Sequence, residues 1–318
     1  MFQSFIVSDL DQCRELWTGL LPQEFLTDLW EVRACFQRHF QRPPAFVVCR
    51  DGGQVKGLLP LSWLEESGGY GFFPGETWQG KTWLEQNRIL AQGEGTLEAL
   101  LSSCPSPFHL RYLSDWGLPL AETAPVDEIG YLFHPPRYGY DLENYFQEFS
   151  GKSRKQILRE VGRLEERGLE LRYDHAPDFD LMVSLNRDRF GGHSYFADPR
   201  FIAGFRELFN LLRERGWLRL TTVILGGRPA AVDMGAVYQG VYTLLAGGTD
   251  PETPGVAKLI NLQHMRLACR ERLREVDFLC GDFTWKKMFH LFPRPLYLLS
   301  DQATRNLEAP AAAAGQGA

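Results

Sequence analysis

The sequence predicts a mixed α/β (α+β) protein of two domains, each a mixed, mainly antiparallel sheet flanked by helices. Three observations point there. The chain has 318 residues, 44% hydrophobic and 13% aromatic, enough to bury two ordinary cores and too apolar for a disordered chain. Both parts run through the same succession of helical periodicity, short strands joined by tight turns, and a further helix. Between them a Pro- and Gly-rich passage, Trp116 to Tyr140, reads as an interdomain connection. That places the domains at 1–137 and 138–304, with a small-residue tail, 305–318, expected to be flexible.

Each element has its own justification. Phe25 to Phe40 carries helical periodicity and Pro43-Pro44 stops it. Ala45 to Arg50 and Gln54 to Leu61 read as strands about the turn Asp51-Gly52-Gly53, a hairpin. Thr96 to Ser103 reads as a short helix and His109 to Leu113 as a strand. In the second domain Leu142 to Phe149 and Ser153 to Arg167 read as helices, the latter with a capping box in Ser153-x-x-Gln156 and a stop at Gly168. Phe179 to Arg189 and Pro199 to Arg215 follow as two more helices. A meander comes next: Leu218 to Leu225, Ala230 to Tyr238 and Val241 to Ala246, turning at Gly226-Gly227-Arg228-Pro229 and Gln239-Gly240. Pro254 to Glu275 is a long helix, with Thr253 as expected N-cap and Pro254 at its first position. Short strands at Val276 to Cys280 and Leu296 to Leu299 complete the pattern.

Composition excludes several function classes. With 34 Lys+Arg against 40 Asp+Glu, a net charge of -6, the chain lacks the positive field of a general DNA or anionic-membrane binder. Six scattered cysteines include no C-x-x-C pair and no Cys/His cluster at zinc spacing, so reduced thiols and no metal are expected. The N-terminus has acids where a signal peptide has bases, and no apolar run nears the roughly 20 residues a bilayer crossing needs. A cytoplasmic protein without a transmembrane segment is the expectation.

Several groups of residues could carry chemistry. Gly75-x4-Gly80-Lys81-Thr82 spells a P-loop letter for letter, but its loop holds Glu76 and bulky Trp78 and no buried strand leads into it, so a phosphate cradle is not expected. Tyr70, Phe72, Phe73, Trp78 and Trp83 instead form an aromatic wall, either core or the lining of a substrate cleft. Lys155, Arg159 and Arg163 advance by four and share one helix face opposite Ile157, Val161 and Leu164, either a solvated stripe or a seat for phosphates. Gly255 opens the long helix where free N–H groups would favour a pyrophosphate. Asp233 interrupts the apolar strand AAVDMGAVY, so it is partnered or lines a cleft.

Three stretches, SGKSRKQILREVGRLEERGLEL, GGRPAAVDMGAVYQGVYTLLAGGTDPETPGVAKLINLQHMRLACRERLREVDFLCGD and TWKKMF, resemble the GNAT-like acyltransferases of the FemAB/CelD-like group. The resemblance covers roughly Leu142 to Leu299, and the part upstream is similar in layout to a degenerate second GNAT-like domain. It implies N-acyl transfer from a thioester or aminoacyl ester to an amine of a small-molecule, sugar or cell-envelope precursor. By that resemblance Lys286 and Asp233 are the catalytic candidates. Gly255, Val256, Lys258, Arg154 and Arg159 would bind the donor, and Trp78, Phe73 and Trp285 the acceptor. The Q/R-x-x-G-x-G/A loop of the wider superfamily is absent from DPETPGVAK, which leaves aminoacyl-tRNA open as donor beside acyl-CoA; the acidic composition favours acyl-CoA. A non-catalytic ligand-binding or interaction protein on the same fold is the alternative of a different class.

Overall fold

The computed structural model describes residues 2–116, 118–281 and 284–301. The expected flexible tail 305–318, and Asp282 and Phe283 of the closing motif, lie outside the described residues. The chain divides into two compact units: one holds Met1–Leu21, Arg42–Asp127 and the chain from Leu296, the other Pro22–Gln41 and Glu128–Pro295. Elements are numbered along the chain.

The first unit contains β1 (Gln3–Val7), α1 (Leu10–Leu20), β2 (Phe46–Asp51), β3 (Gln54–Leu59), β4 (Leu61–Leu64), β5 (Gly69–Phe72), β6 (Thr77–Trp78), β7 (Lys81–Thr82), β8 (Leu90–Ala91), α3 (Glu94–Ser102), β9 (His109–Leu113) and α4 (Leu120–Thr123). Its main sheet is antiparallel, in the order β1-β2-β3-β8. Trp17 of α1 packs its ring against Phe46, Phe72 and Phe73 at 5.9–6.3 Å between centroids, and this aromatic contact is the heart of the unit.

The second unit holds α2 (Trp30–Phe40), β10 (Val126–Phe133, from Glu128), α5 (Leu142–Phe146), α6 (Gly151–Glu165), β11 (Leu169–Tyr173), α7 (Asp178–Phe190), α8 (Pro199–Glu214), β12 (Leu218–Leu225), β13 (Arg228–Tyr238), β14 (Val241–Thr249), α9 (Val256–Arg270), β15 (Glu275–Asp277), α10 (Thr284–Met288) and the start of β16 (Phe292–Ser300). Its strands run β11-β12-β13-β14-β15-β10, antiparallel at every pairing except the parallel β14–β15. α9 buries Leu259, Ile260, Met265 and Ala268 in a core shared with Tyr145, Phe146 and Phe149.

Three local expectations are corrected. Trp116 to Tyr140 is not a bare connection, because it contains β10, whose Leu132 and Phe133 pair with Asp277 and Val276 inside the sheet; the flanking Pro and Gly residues mask that strand. α6 starts earlier than Ser153: Ser150 is the N-cap and its hydroxyl accepts from Ser153 N–H at 3.1 Å. α9 is entered through Gly255 rather than Thr253, since Gly255 sits at φ 86°, which only glycine takes without strain. Thr253 instead donates its hydroxyl to Asp250 at 2.7 Å and closes the turn. No helix among the described residues is long and apolar enough to cross a membrane.

Candidate active site

The site follows from the one parallel pairing of the second unit. β14 and β15 pair only over Val241–Thr243 and Glu275–Asp277. β15 then ends, while β14 runs on through Leu244–Thr249 against β13. The two strands therefore part, leaving a mouth whose wall is the far end of β14. A bulge falls where the mouth begins: Met234 faces Ala246, Gly235 faces Leu244, and Leu245 is the extra residue. A bulge bends its strand and re-aims backbone groups. On the other side of the sheet α7 presses on β14 so closely that a Cβ on Gly248 would come within 2.4 Å of the Met182 carbonyl. Asn186 of α7 donates to the Gly247 carbonyl at 2.5 Å, and Ser194 donates to Asn186 at 2.6 Å.

β14 leads through the turn Asp250–Pro254 into α9. At that helix end the Gly255 and Ala257 N–H groups take no backbone carbonyl among the described residues, so positive ends of peptide dipoles converge there. α6 lies alongside. Lys258 donates to Glu160 of α6 at 2.6 Å, and a Cβ on Gly255 would touch Leu164 at 3.6 Å. The bond from Lys258 holds the Glu160 carboxyl below its usual range. Lys152, Lys155, Arg159 and Arg163 are exposed along α6 while Ile157, Val161 and Leu164 are buried, so the stripe expected from the sequence is a solvent-facing row next to the α9 entrance.

Under the wall lies a buried polar chain. Asp233 of β13 faces Gly247 of β14 in register, and its carboxylate is 2.8 Å from His264 Nε2 on α9. His264 Nδ1 is 3.1 Å from the Tyr242 hydroxyl. Residue exposures of 5%, 1% and 0% for Asp233, His264 and Tyr242 mark all three as interior. Burial first, and then the charge of Asp233, hold the Tyr242 phenol well above its ordinary pKa.

Lys286, on α10, is 2% exposed, and its ammonium donates to the carbonyls of Phe278, Leu279 and Cys280 at 2.9, 2.9 and 2.7 Å. Tyr131 and Trp285 rings lie 5.3 and 6.0 Å from it. The cation clasps the backbone that follows β15, and Lys287 beside it is exposed. Trp285 stands edge-on to Phe278 and Phe289.

Gly255, Val256 and Lys258 lie together at the start of α9, Arg159 lies on α6 next in sequence to the Glu160 that Lys258 bonds, and Asp233 meets α9 further along, at His264. Val256 belongs to the core cluster. Lys286 serves the chain after β15, and Arg154 pairs with Glu143 at 2.5 Å near the start of α6. Phe73 is corrected: it is fully buried against Trp17 and Phe46 and belongs to the core of the first unit, with no free face for an acceptor. Trp78 is half-buried in the β6–β7 hairpin of that unit. Sequence reasoning missed His264, Tyr242 and Asn186. His264 had a usable signal, because it falls one turn after Ile260 on the face of α9 that is otherwise apolar. Two open cavities of about 500 and 550 Å³ lie elsewhere in this unit, one beside Tyr138 and Glu148, the other beside Ser184 and Asp188; neither includes a mouth residue.

Residues 151–287 match the acetyltransferase (GNAT) domain. Among curated proteins none matches. Solved structures similar to the chain include FemX, at 11% identity and TM-score 0.57 over 93% of this chain and 96% of that one. Another is the C-terminal domain of a putative lysylphosphatidylglycerol synthetase from Agrobacterium fabrum, at 11% identity and TM-score 0.56 over 92% and 93%. A tandem GNAT protein from the clavulanic acid biosynthesis pathway is similar at 12% identity and TM-score 0.50 over 94% and 98%. The second unit carries a GNAT domain, and the chain has the fold of two GNAT-like domains. FemX and the lysylphosphatidylglycerol synthetase domain share that fold with this chain, and the family match itself lies within residues 151–287.

Proposed function

We propose that the second unit is an N-acyltransferase, moving an acyl group from acyl-CoA to an amine of a small-molecule, sugar or cell-envelope precursor, in the cytoplasm. The observation that carries this reading is the parting of β14 from β15 beside the entrance of α9. An acyl donor needs an extended slot for its amide-bearing arm and positive groups for its phosphates. The stretch of β14 that runs past its ladder with β15 supplies the first. The Gly255 and Ala257 N–H groups, with Arg159 and its neighbours on α6, supply the second.

In the reaction the amine, having lost its proton, attacks the thioester carbonyl carbon. The C–S bond breaks, and CoA leaves as a thiolate that is reprotonated to the thiol. Charge developing on the carbonyl oxygen would be met by the polar backbone of β14, whose bulge re-aims its peptide groups where it leaves β15. Asp233, beneath Gly247, is the group that receives or orients the amine proton. Lys286 is a positioning residue, its three protons already used on carbonyls. Trp285 backs that segment, and Val256 seats the start of α9. Lys258 acts through Glu160, and Trp78 lies in the other unit.

Titration with acetyl-CoA tests the reading. At 100 times its dissociation constant it is expected to stabilise the protein by about 2.7 kcal/mol, with free thiol released when an acceptor amine is added. No shift in the melting temperature would sink the acyl-CoA reading.

A second reading has one observation behind it. The row Lys152 to Arg163 runs about 16 Å at the helical rise, longer than one diphosphate. That length favours aminoacyl-tRNA as donor, and RNA-dependent stabilisation without an acetyl-CoA response would select it.

A further inference from the structure

The Asp233–His264–Tyr242 chain ties α9 to the strand pair β13–β14. Asp233 comes from β13, Tyr242 from the start of β14, and His264 from the middle of α9. The chain sits directly under the open stretch, because Asp233 faces Gly247. Two glycines make room for it. A Cβ on Gly247 would fall 2.1 Å from Asp233 Oδ1, and one on Gly235 would fall 2.4 Å from the Tyr242 hydroxyl.

His264 bridges the other two through both ring nitrogens, Nε2 toward the Asp233 carboxylate and Nδ1 toward the Tyr242 hydroxyl, whose proton can be donated to it. The raised phenol pKa keeps that proton in place. Three apolar side chains would fill the same space without needing glycine at 235 and 247 and without the cost of burying polar groups. What a hydrogen-bonded chain adds is a fixed spacing between the strand pair and the helix.

We infer that His264 is a positioning residue for the donor: bonded to Tyr242 and to Asp233, it holds α9 at a fixed spacing from the β13–β14 pair and so sets the distance between the open stretch of β14 and the entrance of α9. Neither His264 nor Tyr242 touches the donor. They set the walls that do. The inference rests on the acyl-CoA reading above, and the experiment separates the two.

The full chain is titrated calorimetrically with acetyl-CoA as wild type, Tyr242→Phe and His264→Gln, and each variant's urea midpoint is measured in parallel. Tyr242→Phe keeps the ring and removes only the hydroxyl, so it remains available if His264→Gln folds poorly. Expected is a loss of about tenfold in acetyl-CoA affinity for the folded variant, the size that a lost buried hydrogen bond carries when read as binding. The imidazole nitrogen resonances of His264 in the wild type should be disturbed in Tyr242→Phe. A chain that serves stability alone would lower the urea midpoint and leave the affinity of the folded protein unchanged, and that result overturns the inference while the donor reading stands. Wild type that does not bind acetyl-CoA overturns the donor reading, and the inference with it.

Discussion

Two glycine-bearing turns divide this molecule between appearance and use. Gly75 to Thr82 spells a phosphate-binding motif, yet it folds as the β6–β7 hairpin, turning through Gln79 and Gly80 at φ 49° and 72°. No helix opens after it. Its inner space is taken by Glu76, 1% exposed, whose carboxylate accepts from Thr82 Oγ1, Trp83 N–H and Leu84 N–H at 2.7, 3.1 and 2.7 Å. An acidic group already holds the donors that a phosphate would need. The turn from Gly247 to Gly255 spells no such motif, yet it joins the end of β14, past its ladder with β15, to a helix entrance near a basic row. Backbone context decides anion binding, and the letters are secondary to it.

The largest effect that would sharpen this contrast is Glu76→Ala. Removing a carboxylate that satisfies three donors in the interior should cost about 2–4 kcal/mol, read as a lower urea midpoint, whereas Glu76→Gln, which keeps one acceptor oxygen, should lose less. A stable Glu76→Ala chain that had gained affinity for inorganic phosphate would break the comparison, because the hairpin would then be a masked cradle.

Gly255→Ala comes next. Open space is not the obstacle, since the nearest atom to a Cβ there is Leu164 at 3.6 Å. The cost is the left-handed backbone at φ 86°, about 1–2 kcal/mol for an L-residue. Acetyl-CoA binding should weaken together with stability, because the methyl group sits among the N–H groups of the entrance. Unchanged stability would mean that the entrance relaxes to another conformation and that glycine is not what shapes it.

Much of the fold was legible because its signals are local. The β12–β13–β14 meander, the α8 stop at Gly216 and the apolar face of α6 all follow from alternation, turn residues and helical spacing. β10 was not, since its pairing partner Asp277 lies about 145 residues downstream and pairing partners leave no local trace. The site divides the same way. Gly255 and Asp233 stood out as residues whose type conflicts with their surroundings. His264 gave only the weaker signal of a polar residue on the apolar face of α9, and Tyr242 gave none, because a tyrosine in a strand is ordinary until the fold sets its hydroxyl 3.1 Å from His264. Lys286 stood out in the sequence through the family resemblance alone, and its three carbonyl partners belong to a chain reversal that no spacing rule describes.

The smallest effect is the most direct test of the contrast. Lys81→Ala alters the residue that a true P-loop cannot lose, whereas here Lys81 is exposed at a hairpin end and paired across the strand with Trp78. Its removal should change stability by less than about 0.5 kcal/mol, as for other exposed sites, and should leave no nucleotide affinity to lose. Arg159→Glu is the matching change at the other turn. It replaces an exposed cation with an anion beside the α9 entrance, so stability should hardly move while acetyl-CoA affinity falls several-fold, more at low salt than at high because an exposed charge is screened. The pair is decisive when measured together by titration with ATP and with acetyl-CoA. ATP binding abolished by Lys81→Ala, with acetyl-CoA binding indifferent to Arg159→Glu, would reverse the assignment of the two turns and return the anion site to the sequence motif.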